Sequence, residues 1–355
     1  MENKSKTMTR VRLLEHFSKY PKAEIKDLFK FLYQSAYGCE HLVTDTDRVC
    51  EYIKSEYADY TPKGRTWEAL DGDYIRLYLD VIGEGLNPTT LAKLFILSAK
   101  SETDAMEHLV EKLQVAREMI IAGELPFGIE KFDEEREAWR IKGYPAVHHS
   151  DNFRSAYGPG YRVIKREYAP FIPLITEIDR LLLKGDAVIA IEGGSAGGKT
   201  TLSSLLEKLY GCNVIHADDF FLRPHQRTEK RLMEIGGNFD RERFAEEILP
   251  QLKAKKSITY RRFDCSTREL TEPITLAANP LTVVEGVYST HLSFGKYYDL
   301  SVFLDISEEE QRARIEKRNS GALAQRFFEE WIPMEKVYFD KTEIIKRTDI
   351  VIKIP

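Results

Sequence analysis

The run Val188-Ile189-Ala190-Ile191-Glu192 passes directly into Gly193-Gly194-Ser195-Ala196-Gly197-Gly198-Lys199-Thr200, and a helical stretch begins at Thr201-Leu202. No other feature of the chain narrows its fold so far. An unbroken apolar run of this length reads as a strand buried on both faces. Glycines then let the backbone fold tightly, and a helix follows at once, the opening of a crossover unit in a parallel sheet. Such a loop aims backbone N–H groups inward and adds the favourable dipole of a helix N-terminus, which suits a polyphosphate. The spacing GxxxxGK[ST] completes the pattern: Lys199 reaches β- and γ-phosphates, and the Thr200 hydroxyl suits Mg²⁺. Gly193, Gly194, Ser195, Ala196, Gly197, Gly198, Lys199, Thr200 and Thr201 are therefore the candidate nucleotide-binding residues. The alternative, a chance match in a glycine-rich turn, lacks the strand before and the helix after.

The same texture continues to the end of the chain. Val/Ile-rich runs at 187–191, 213–217, 281–284, 300–305 and 349–354 alternate with helical stretches at 201–210, 241–253 and 308–318. That alternation predicts an α/β P-loop NTPase fold, a parallel sheet with helices on both faces. Before it, apolar residues recur at helical spacing: Leu13, Leu14 and Phe17; Ile25, Leu28, Phe29, Leu32 and Tyr33; Met106, Leu109, Val110, Leu113 and Ile120. Asn87-Pro88-Thr89 opens a further helix. The expectation is an all-α N-terminal domain, residues 1–175, followed by a nucleotide-binding domain, residues 176–355.

Composition excludes several function classes. The chain has 355 residues, and Lys+Arg 52 against Asp+Glu 57 leaves a net charge of -5. Neither half carries the basic excess that binding a nucleic-acid backbone needs. No apolar run approaches the ~18–20 residues of a membrane span. Four cysteines without CxxC pairing fit a reducing compartment, and the charged start lacks a signal-peptide core, so a cytoplasmic location is expected.

Acids follow the strands. Val214-Ile215-His216-Ala217 ends in Asp218-Asp219, and ligands in open α/β sheets sit beyond the carboxyl ends of strands. There Asp218 can take a proton from an acceptor hydroxyl, or the acid pair can cap a turn. Glu285, at the end of Leu281-Thr282-Val283-Val284, is placed to direct Mg²⁺, or is a solvated strand end. Arg312, Arg314 and Arg318 can close over a transferring phosphoryl group, or pair along a charged helix, as Arg312 and Glu316 do at i,i+4.

Taken together, GGSAGGKTT, HADDFF, NFDRERF, VVEGVYS, YYDLSVFLDI and RARIEKR, in this order over about residues 186–355, resemble the uridine kinase and phosphoribulokinase superfamily of small-molecule kinases, which includes nicotinamide riboside kinase. The resemblance implies ATP rather than GTP, with Mg²⁺. It implies that Asp218 is the catalytic base, Lys199 and Thr200 the phosphate-loop residues, Glu285 the metal-organising acid, and Arg314 and Arg318 lid arginines. It also implies acceptor contacts at Asp240, Tyr260, Phe263 and Arg268. Tyr260-Arg261-Arg262-Phe263-Asp264-Cys265 departs from the nucleoside-kinase pattern, and Gly197 stands where many members carry serine.

The N-terminal half carries no family signature. His41, His148 and His149 can be grouped with Glu40 into a metal or catalytic site, but their spacing is not that of HExxH; the structural reading has them capping helices or satisfied in the core. The run Tyr157 to Arg162 suits an anion or partner contact, or a connector. The function expected is ATP-dependent phosphotransfer to a hydroxyl of a small, nucleoside-like metabolite, the helical part adding specificity, regulation or homo-oligomer contacts. Two alternatives stand beside it: an ATP-switched regulatory protein, and a bifunctional enzyme with separate chemistry in the helical half.

Overall fold

Helix Ile25–Tyr37 starts where the Glu24 amide donates to Asp27 Oδ2 (2.9 Å), and it buries Leu28, Phe29, Phe31 and Leu32. This is the helical stripe read from the sequence, and these residues belong to one hydrophobic core cluster of the N-terminal unit. The computed structural model describes residues 2–38, 45–99 and 104–354. Within it the chain forms two compact units, Met1–Ile172 and Pro173–Pro355.

The N-terminal unit is predominantly helical. Asn87 caps helix Pro88–Leu97 by accepting from the Thr89 amide (2.9 Å), with proline in the first turn. Helix Ala105–Ile121 buries Leu109, Leu113, Ala116 and Met119. One addition was not expected. Strands β1 (Trp67–Ala69), β2 (Tyr74–Tyr78) and β3 (Tyr161–Lys165) form an antiparallel sheet in the order β1-β2-β3, so the unit is not purely α. Every residue of β2 is buried, Arg76 included. Its guanidinium survives there because Nε donates to Gln34 Oε1 (3.0 Å) and Nη1 lies 3.8 Å from Glu68.

The C-terminal unit holds β4 (Ala187–Gly193), β5 (Asn213–His216), β6 (Ile258–Asp264), β7 (Glu269–Leu276), β8 (Leu281–Glu285), β9 (Leu300–Ile306) and β10 (Ile350–Ile354). Five of these form a parallel sheet in the order β10-β9-β4-β8-β5, flanked by helices. The chain builds β5 and β8 on one side of β4, then β9 and β10 on the other. β4 is therefore the point of reversal, where a ligand crevice opens beyond the strand ends. The stretch read as one helix over 241–253 is two, Arg241–Glu247 and Leu249–Ala254, because Pro250 lacks an N–H to continue the first. β6 and β7 form a separate antiparallel hairpin. Among the described residues no helix is long and apolar enough to cross a membrane.

Candidate active site

The glycine-rich loop is shaped by its surroundings as much as by its own residues. Gly193 has φ +149, and a Cβ there would lie 2.9 Å from the Leu304 carbonyl of β9, so no side chain fits. Gly198, at φ +93, precedes helix Lys199–Tyr210. Ala196 takes φ +58 without being glycine, a strained conformation held by the loop around it. Lys199 Nζ donates to the carbonyls of Gly193 (2.9 Å) and Gly194 (3.0 Å), folding its ammonium over the loop's mouth.

Two acids sit beside it. β5 and β8 are paired in register, His216 opposite Glu285. Glu285 Oε1 accepts from the Thr200 hydroxyl (3.3 Å) and lies 2.6 Å from His216 Nδ1. A hydroxyl and a carboxylate this close form a hard oxygen donor pair, the chemistry Mg²⁺ prefers. Asp218 follows β5 in the 3₁₀ turn Ala217–Phe220. Its side chain opens onto a cavity while protein encloses it elsewhere; that enclosure raises its pKa, and Lys199 opposes the rise. The neighbouring Asp219 points inward instead, accepting from the Tyr260 hydroxyl (2.9 Å).

The cavity measures about 1070 Å³ and runs from Ser195 past Asp218 to Phe221, Phe263, Arg268 and Trp331. Of the residues assigned to the acceptor on resemblance, Phe263 and Arg268 line it. Tyr260 and Asp240 do not. Tyr260 stacks on Phe220 (5.6 Å between centroids), and Asp240 is engaged by Gln226 Nε2 (2.9 Å) while capping helix Arg241–Glu247. Arg314 and Arg318 belong to helix Glu308–Arg318. Arg314 is paired with Glu310 (2.7 Å), and Arg318 is exposed beside the Phe327 ring (5.9 Å). Neither lines the cavity. The helix is nonetheless tied to the loop, since Gln311 Nε2 donates to the Ser195 carbonyl (2.8 Å).

Two further carboxylates escaped the sequence reading. Glu192, the last residue before the loop, is fully buried and accepts from the amides of Tyr288 (2.7 Å) and Thr290 (2.9 Å), from the Thr290 hydroxyl (2.9 Å), and from Tyr338 Oη (3.2 Å). An acid closing an apolar strand was the available signal. Glu335, on helix Ile332–Thr342, accepts from the Ser195 amide (2.9 Å) and hydroxyl. Nothing in the charged stretch around it distinguishes it by pattern.

His149 is buried, with Nδ1 2.8 Å from Asp27 and Nε2 2.7 Å from the Tyr161 hydroxyl; burial pushes its pKa down to about 3. His148 is exposed, and His41 lies outside the described residues. Among the described residues no group of three His, Cys, Asp or Glu side chains is arranged to hold a metal.

Residues 188–320 match the sequence model of the Phosphoribulokinase / Uridine kinase family, a span that includes the loop, Asp218, Glu285 and helix Glu308–Arg318. No curated protein matches the chain. Among solved structures, the chain is similar to a "possible uridine kinase" from Bacillus stearothermophilus, with 24% identity over 51% of this chain and 99% of that one and a TM-score of 0.38. It is similar to TT1252 from Thermus thermophilus, with 21% identity over 48% and 89% and a TM-score of 0.27. It is also similar to shikimate kinase from Bacteroides thetaiotaomicron, with 13% identity over 46% and 85% and a TM-score of 0.26. The C-terminal unit is a parallel α/β fold with a P-loop between its central strand and the helix that follows; the N-terminal unit lies outside the family match.

Proposed function

We propose that the C-terminal unit transfers the terminal phosphoryl group of ATP to a hydroxyl of a small, nucleoside-like metabolite. The observation that carries this reading is a single cavity that begins at the phosphate loop, at Ser195, and has Asp218 in its wall. A nucleotide on the loop and an acceptor in the cavity thus meet at a carboxylate. The Phe221, Phe263 and Trp331 rings in the lining suit a flat ring system, and the volume exceeds what a compact sugar needs.

In this mechanism the loop amides and Lys199 hold the polyphosphate, and Lys199 exchanges its two carbonyl partners for phosphate oxygens. Asp218 orients the acceptor hydroxyl and takes its proton as the oxygen attacks in line. Its raised pKa brings the carboxylate closer to neutral working pH, where a general base is most effective. Mg²⁺, held by the Thr200 hydroxyl and the Glu285 carboxylate, would supply charge neutralisation on the phosphates. Arg314 and Arg318 reach the transferred group only after exchanging their present partners. Catalysis is positioning plus charge stabilisation, with no covalent enzyme intermediate.

The test is incubation with Mg-ATP and pooled nucleosides, ribosides, vitamins and sugars, with ADP and phosphorylated products read by mass spectrometry and Lys199→Ala as control. A phosphorylated acceptor that disappears in the variant is the expected result. ADP formation that is slow and indifferent to every pool would overturn the reading in favour of a nucleotide-driven switch.

A further inference from the structure

Glu335 puts a negative charge where a phosphate loop should carry none. Its side chain is 5% exposed, Oε2 accepts from the Ser195 N–H (2.9 Å) and Oε1 from the Ser195 hydroxyl (2.5 Å). A Cβ placed on Gly194 would lie 3.4 Å from Oε2, so the carboxylate rests against the loop backbone itself. A loop N–H of this kind is an anion seat, and a carboxylate oxygen fills it much as a phosphate oxygen would.

Which phosphate that seat serves follows from the cavity. Ser195 is the loop residue that lines it, together with Asp218 and Glu335. The phosphoryl group nearest an acceptor is the terminal one, so the Ser195 N–H lies at the terminal-phosphate end of the loop. We infer that Glu335 occupies the seat of the terminal phosphoryl group in the nucleotide-free protein, and thereby sets how the loop discriminates a nucleoside triphosphate from a diphosphate. The inference rests on the phosphotransferase reading above.

The triphosphate must displace the carboxylate, because two anions cannot share one N–H. The diphosphate lacks the group that competes and leaves Glu335 in place. Displacement proceeds by rotation of the side chain, since the helix is pinned one turn later, where Tyr338 donates to Glu192 Oε2 (3.2 Å). Glu335 therefore weakens triphosphate binding and spares the diphosphate. A charge-assisted hydrogen bond is roughly twice as strong as a neutral one, so removing the charge should tighten triphosphate binding by about tenfold, or about 1.4 kcal/mol.

The experiment measures dissociation constants of Mg-ATP and Mg-ADP by calorimetry for the full-length wild type and for Glu335→Gln, with circular dichroism to confirm folding. The expected result is ATP affinity raised about tenfold and ADP affinity changed by less than about twofold. A merely structural staple of the loop would move both nucleotides together, and equal shifts, or none, overturn the inference. If Glu335→Gln fails to fold, Glu335→Asp keeps the charge but shortens its reach, and the same change in the ATP-to-ADP ratio is required of it. A wild type that binds neither nucleotide overturns the phosphotransferase reading, and this inference with it.

Discussion

His216 and Glu285 face each other across the parallel pair β5–β8, paired in register at the strand ends, with Nδ1 2.6 Å from Oε1. The hydrogen bond to Glu285 raises the His216 pKa above its ordinary 6.5, burial opposing it. A histidine with a raised folded pKa contributes stability that is complete below 6.5 and is lost as pH rises through the folded value. Because the ring is about a third exposed (35%), solvent screening keeps this below about 1 kcal/mol. An NMR titration should show the His216 midpoint above 6.5. His216→Gln should remove the small stability increment that the wild type loses as pH rises above 6.5. A midpoint at or below 6.5 would contradict the pairing.

Asp218 pulls stability and activity in opposite directions. Its enclosure raises its pKa, so ionisation at neutral pH works against the fold: the contribution is favourable below the ordinary 3.8 and fades as pH rises through the folded value. Asp218→Asn should therefore raise stability at pH 7.5 only slightly, because solvent screens this exposed side chain, while lowering kcat by about 10²–10⁴-fold. Urea denaturation and steady-state kinetics read the two effects. Retained turnover would remove Asp218 from the base role. In the wild type, kcat/KM should fall with acid at a pH above the ordinary carboxylate range.

Glu192 has no exposed surface and its carboxylate satisfies several donors at once. Glu192→Ala leaves those donors buried without partners, at a cost of about 3 kcal/mol or more. Chemical denaturation should show the loss. A change under about 1 kcal/mol would mean that water replaces the carboxylate.

The N-terminal unit should be acid-labile. Burial holds His149 down to about 3. Burial alone would raise Asp27, but hydrogen bonds from His149, Ser150 and backbone amides outweigh it and hold it to about 2. For the depressed histidine, stability is lost as pH falls below 6.5 towards 3; for the depressed carboxylate, as pH falls from 3.8 towards 2. Both act in one direction, and together they should cost about 2 kcal/mol or more between pH 6.5 and 3. Thermal unfolding of the full chain should show the loss, and it should shrink in His149→Phe, which keeps the stacking on Phe153 (4.1 Å between centroids). An undiminished loss would place the acid sensitivity elsewhere.

How much of this was legible depended on burial. β4 could be read because a strand buried on both faces has no polar side to obscure it, and the glycine pattern after it fixes the loop by chemistry. β2 could not. It carries Arg76 in its centre, and only the distant Gln34 and Glu68 make that position tolerable. The hairpin β6–β7 hid for another reason: a register shift between Arg261 and Phe263 breaks the alternation a strand would show. Within the site, Lys199 and Thr200 could be picked out by the glycine-loop spacing, and Asp218 and Glu285 by their place at or just beyond strand ends. Glu335 lies 140 positions from Ser195 along the chain, and no local pattern predicts so distant a meeting.

The attachment of Tyr338 to Glu192 fixes where the cavity wall can yield. The segment Phe327–Trp331 is wound as a π-helical turn and runs directly into helix Ile332–Thr342. With Tyr338 tied to the central strand, that helix is anchored midway along its length. Any widening of the cavity must be taken up at the loosely wound end, where the hydrogen bonds have already left α-helical register.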